Sequence, residues 1–100
     1  MVEVVEALVK KTKIDYKYNE DKILSELKQY IDSTYDKHYS HNKFQATEFV
    51  IDSGHGEGFC IGNILKYAQR YGKKNGKDRN DLLKVVHYGM IALYINDMEK

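Results

Sequence analysis

A chain of 100 residues suits one domain with a modest core. Its 42% hydrophobic and 31% charged residues describe an ordinary globular protein rather than a disordered one. A formal net charge of +1 argues against a general binder of polymeric nucleic acid, which needs a large phosphate-neutralising surplus. Cys60 is the single cysteine, so no intrachain disulfide can form and a reducing cytoplasm is the expected compartment. No apolar run approaches the ~20 residues of a membrane span. The stretch from Met1 to Lys10 is too short and too acidic for a secretion signal. The absence of proline permits long helices, and nine tyrosines supply amphipathic rings suited to interfaces or to stacking on bases.

In chain order, residues 2–9 are apolar but ambiguous between helix and strand. Asn19 is placed to cap a helix, with Glu20 and Asp21 in the first turn where acids suit the helix dipole. Ile23, Leu24, Leu27, Tyr30 and Ile31 then repeat at amphipathic helical spacing, predicting a helix to about Tyr35. Residues 36–43 read as a loop and Phe44 to Ile51 as a short helix. The alternating glycines of Gly54-His-Gly-Glu-Gly58 predict a turn. A helix from Phe59 to Tyr71 follows, ended by Gly72 in the left-handed cap position. Asp78 caps the last helix, with Asp81 three residues on as a variant capping box. From Leu82 to Met98 that helix is apolar nearly all round, which predicts burial on most sides and so a second subunit. The expected fold is all-α: a small helical bundle with an antiparallel helical hairpin, assembled as a homo-oligomer, a dimer or tetramer. Residues 1–100 form one domain, with 1–35 as an N-terminal appendage and 38–100 as the core.

The most informative segment is Gly58 to Lys74. Asn63, Lys66 and Arg70 share one face of an otherwise apolar helix containing Phe59, Ile61, Ile64, Leu65 and Ala68. Cations in such surroundings are expensive to bury unless an anion meets them. Two anions are open: a ligand phosphate, or an internal carboxylate, with Asp81 of the next helix able to reach Arg70 or Lys66. Lys73, Lys74 and Lys77 form a solvated basic turn or extend the cationic surface.

Other patterns carry less chemistry. The glycine turn lacks the lysine and preceding strand of a phosphate loop. His38, Tyr39 and His41 do not make a four-ligand metal set, so no metal and no cofactor is expected. Cys60, between Phe59 and Ile61, reads as a buried inert thiol, and His87 as a satisfied core histidine. Asp78 and Asp81 are better explained by capping than by magnesium. No credible catalytic set emerges, and the enzyme question leans to no.

From His38 onward the chain resembles a family of small bacteriophage proteins of unknown function, often described as nucleotide kinases. The residues that carry the resemblance are His38-Tyr39, Gln45-Ala-Thr-Glu-Phe-Val50, the Gly58 to Arg70 segment with its Gly-Asn-x-x-Lys-Tyr-x-x-Arg core, Lys74, and Gly76 to Lys84. The proline that commonly precedes His-Tyr in the family is missing here. The resemblance implies phage origin, residence in the host cytoplasm, a helical fold and a nucleotide-type ligand. Small phage proteins of similar size include oligomeric sponges that sequester the nucleotide second messengers of bacterial immune systems such as CBASS. The expected function is therefore sequestration of a cyclic dinucleotide or related messenger without turnover. Lys66 and Arg70 would meet phosphates, Asn63 would bond a base or ribose, and Tyr39, Tyr67 or Tyr71 would stack, with His38 and Lys74 nearby. The alternatives are a deoxynucleoside monophosphate kinase, or a structural protein whose cations are all used internally.

Overall fold

The computed structural model describes residues 13–36 and 42–99, the side chains of 42–45 excepted. The apolar stretch 2–9 and the residues His38, Tyr39 and His41 lie outside the described residues. Among the described residues four helices follow one another: α1 (Glu20–Thr34), α2 (Asn42–Asp52), α3 (Gly56–Arg70) and α4 (Arg79–Met98). No strand occurs among the described residues.

Helices α3 and α4 form the expected antiparallel hairpin, which dominates the packing; α2 leans on α3 and α1 on α4. The connection is tight because two glycines take left-handed backbone angles, Gly72 at φ 87° and Gly76 at φ 67°. The Gly72 N–H donates to the Gly76 carbonyl at 2.8 Å, closing the turn on itself. Asp78 then caps α4 as predicted, its side chain accepting from the Asn80 N–H at 2.9 Å.

Three local expectations are corrected. Asn19 does precede α1, but at φ 58° in the left-handed region, and its side chain caps nothing. Glu20 instead reaches back two residues and accepts from the Tyr18 N–H at 2.9 Å. The glycine turn is shorter than its sequence suggests: α3 begins at Gly56, so Gly56 and Gly58 are helical and only Ser53 to His55 turn. Packing overrides propensity there, because a Cβ on Gly56 would stand 2.8 Å from Ile95 Cδ1 and 3.3 Å from the Ile51 backbone. Asp81 does not complete a capping box; its carboxylate turns away from the helix end toward Arg70.

The core is small. Among the described residues Leu27, Cys60, Leu83 and Ile95 are the buried hydrophobic ones, joined by buried Thr34, Asp81 and His87. Tyr30 of α1 meets His87 of α4 edge-on at 6.0 Å, and Arg79 forks onto Glu26 at 2.6 and 2.7 Å. The fork holds the Glu26 carboxyl below its ordinary range. The predicted burial of α4 on most sides does not hold within one chain, since Leu82, Val86, Met90, Leu93, Tyr94 and Met98 remain exposed.

Candidate functional site: a tyrosine ringed by cations

The Gly58–Lys74 segment places Asn63, Tyr67 and Arg70 half-buried toward α4 and leaves Lys66 exposed. Arg70 finds an internal anion. Its Nε and Nη2 both donate to Asp81 Oδ1, at 3.0 and 2.6 Å, and Asp81 is 1% exposed. This charge-assisted bond, with the carboxylate of Asp78 nearby, raises the Arg70 guanidinium above its ordinary value. Of the two internal pairings open in the sequence, the structure forms Arg70–Asp81. Asn63 also turns inward on its own helix, its Nδ2 donating to the Phe59 carbonyl at 2.8 Å.

Tyr67 gathers the rest. Three cations stand over its ring: Arg70 Cζ at 4.7 Å, Lys84 Nζ at 4.9 Å and Lys66 Nζ at 5.1 Å from the centroid. Each is within cation–π range. The Tyr67 ring also lies nearly parallel to that of Tyr88, 11° apart with centroids at 6.1 Å, and Phe59 meets Tyr88 edge-on at 5.8 Å. Asp81 offsets the charge of Arg70, and among the described residues no carboxylate forms a salt bridge with Lys66 or Lys84. Two positive charges therefore converge on one aromatic ring without a salt-bridged carboxylate among the described residues.

Lys84 was not singled out by sequence. The signal was present: it lies three residues after Asp81, on the face of α4 that turns toward Arg70. Tyr71 caps α3, half-buried, and Lys74 stands exposed in the turn; neither joins the cluster around Tyr67.

A cavity of about 440 Å³ opens elsewhere, between α1, α2 and the C-terminal half of α4. Ile31, Ile51, His87, Ile91 and Tyr94 are among its walls, and none of Asn63, Lys66, Tyr67, Arg70, Tyr71 or Lys74 lines it. Burial pushes the His87 imidazole below its ordinary value, so it is the neutral ring that faces this space. Cys60 is fully buried at 0% exposure, and its thiol is pushed up by desolvation. Among the described residues no three His, Cys, Asp or Glu side chains are grouped to hold a metal ion. No helix among them is long and apolar enough to cross a membrane.

An all-helical protein with a cationic aromatic cluster on its central hairpin is thus defined. The chain belongs to a family of proteins of unknown function, DUF3310, which it matches over residues 33–89. That span runs from the last turn of α1 to the middle of α4 and contains Asn63, Lys66, Tyr67, Arg70 and Lys84. No curated protein and no solved structure matches the chain.

Proposed function

We propose that this protein binds a nucleotide at the Tyr67 cluster and holds it without turning it over. The observation that carries the reading is the charge imbalance around one ring: Lys66, Arg70 and Lys84 lie within about 5 Å of the Tyr67 centroid, and among the described residues only Arg70 of the three is salt-bridged to a carboxylate. Like charges so close together repel, and a ligand carrying phosphates removes that repulsion. The exposed lysines suit phosphate oxygens, while neighbouring rings suit a base, where stacking is typically worth ~1–3 kcal/mol. A cyclic dinucleotide or related immune messenger, with phosphates and flat bases in one compact molecule, fits this chemistry, and sequestering it would serve a phage protein in the host cytoplasm. Binding by a dimer or tetramer would let two copies share the ligand.

Retention rather than turnover is favoured by how the nearby acids are engaged. Asp81 is bonded to Arg70 and Asp78 caps α4, so both carboxylates already hold the hairpin together, which speaks against either serving as the magnesium ligand of a deoxynucleoside monophosphate kinase. The purely structural alternative draws on the Arg70–Asp81 and Asn63–Phe59 bonds, which use those two side chains internally.

Incubating the protein with a panel of cyclic dinucleotides and mononucleotides, then denaturing it, decides between the readings. Recovery of intact ligand is expected, and a Lys66→Ala/Lys84→Ala double variant should lose binding at least tenfold while melting as the wild type does. Recovery of phosphorylated or cleaved product points to an enzyme. Absence of binding at micromolar concentration leaves the structural reading.

A further inference from the structure

The α3–α4 hairpin has two sides, and α1 and α2 cover one of them. On the other, α4 presents Leu82, Val86, Gly89 and Leu93, spaced four, three and four residues apart along one stripe. Leu82 is 44% exposed, Val86 47% and Leu93 65%. The antiparallel packing, fixed at Gly56 against Ile95 and at Arg70 against Asp81, sets the rotation of both helices. It brings Ile61, Ile64 and Ala68 of α3, spaced three and four apart, to this same side. No charged residue interrupts either row.

We infer that this face is the contact between two copies of the chain, packed across a two-fold axis into a four-helix bundle. The occupant is a second copy because the spacing of the α4 stripe, four, three and four, is symmetric about its centre, so an antiparallel copy meets it in register. Run antiparallel against itself, it sets Leu82 opposite Leu93 of the partner subunit and Val86 opposite Gly89 of the partner subunit, with the axis between them. Large meets large at the ends. At the centre the smaller residues let the helices approach, and nothing lies within 4 Å of where a Gly89 Cβ would be. Seam spacing of this kind is the geometry by which helix pairs interlock, and an isologous contact needs a self-complementary surface.

The size of the core argues the same way. Four hydrophobic residues are buried, while fourteen large hydrophobic residues are exposed among the described residues. Where exposed apolar side chains gather in rows, as on this side of the hairpin, they mark an interaction site. Counted on both copies, the exposed parts of the two rows come somewhat short of the ~1,200 Å² at which specific association begins, so flanking residues complete the contact. The inference goes beyond the ligand reading and does not depend on it, since Lys66 and Lys84 lie outside both rows.

Sedimentation of the full chain at tens of micromolar tests it. The expected species has twice the 11.7 kDa chain mass or an even multiple of it. Val86→Glu should shift the population to smaller species, with helicity followed by circular dichroism. Mixing Val86→Glu with Val86→Lys in equal amounts should restore association, because the two positions flank the axis. A monomeric wild type overturns the inference, as does a Val86→Glu protein that associates unchanged. Where Val86→Glu loses its helicity, the mixture decides: recovery of the folded dimer supports the contact, and failure to recover overturns it.

Discussion

Arg70 and Asp81 join the two arms of the hairpin across its turn, both arginine donors falling on a single carboxylate oxygen at 3.0 and 2.6 Å. At 1% exposure Asp81 has no access to solvent, so its charge is stabilised chiefly by that guanidinium. Removing either partner leaves the other without its counter-charge, and for the buried acid this is strongly destabilising. Arg70→Ala, which strands the buried carboxylate, should lower Tm by roughly 12 °C or more, and Asp81→Asn by less. Arg70→Lys should rescue little, since an ammonium cannot reproduce the fork. Thermal melts followed by circular dichroism check this, and an unchanged Tm would separate the pair from hairpin stability. For the same reason Arg70 is a poor probe of ligand binding, and the exposed lysines are better ones.

Two glycines of α3 should respond to alanine with opposite signs. At Gly56 the new methyl meets Ile95 Cδ1 at 2.8 Å and Ile51 Cγ1 at 3.1 Å. Overpacking of this kind costs about 1–3 kcal/mol, more than the helix propensity of alanine returns. At Gly62 nothing lies within 4 Å, and replacement should stabilise the helix by up to about 1 kcal/mol. Urea denaturation of the two variants side by side gives the comparison. The same sign for both would mean that propensity, not contact, governs Gly56.

Cys60 should be silent to thiol reagents in the folded protein. Its side chain is fully buried and its pKa is raised, so both access and thiolate fraction are low. Modification by an aromatic disulfide reagent should run at the rate of global opening and become immediate in denaturant. Fast reaction under native conditions would show that the α3–α4 contact opens locally.

His87 makes stability depend on pH. Its folded pKa lies below the ordinary 6.5, because burial disfavours the imidazolium. In the unfolded chain the ring takes up its proton at the ordinary value, so the unfolded state binds more protons between the two pKa values. The contribution of His87 is therefore fully present above about pH 6.5 and declines as pH falls toward the folded pKa. Denaturation midpoints from about pH 7 to about pH 5 should fall for the wild type and fall less for His87→Phe. Equal slopes for the two proteins would assign the acid sensitivity to other groups.

Periodicity made α1 and the hairpin legible, and punctuation made the hairpin turn so: Gly72 and Asp78 act where their chemistry predicts. What misled was any residue whose local preference yields to a distant contact. Gly56 reads as a turn residue, and only the approach of Ile95, thirty-nine positions further on, makes it helical. Asp81 reads as a cap, and the depth of its burial is a property of two helices together. At the candidate site the charge row could be seen, but not its division of labour. Arg70 takes the internal acid, Asn63 bonds its own helix, and Lys84 arrives from α4 to join Lys66 over Tyr67. Which cation meets which acid depends on the rotation of the helices, and a single chain of letters does not encode that rotation locally.

The slender attachment of α1 has a dynamic consequence. Its polar tether, Arg79 to Glu26, sits in solvent, and its apolar grip is mainly Leu27 with Tyr30 edge-on to His87. An element held so lightly detaches at a fraction of the free energy needed to open the hairpin. Backbone amides of α1 should therefore exchange with deuterium well before those of α3 and α4, and more salt, by screening the tether, should hasten only the first set. Each such excursion uncovers His87 and the neighbouring hollow, one wall of which is Ile31 of α1.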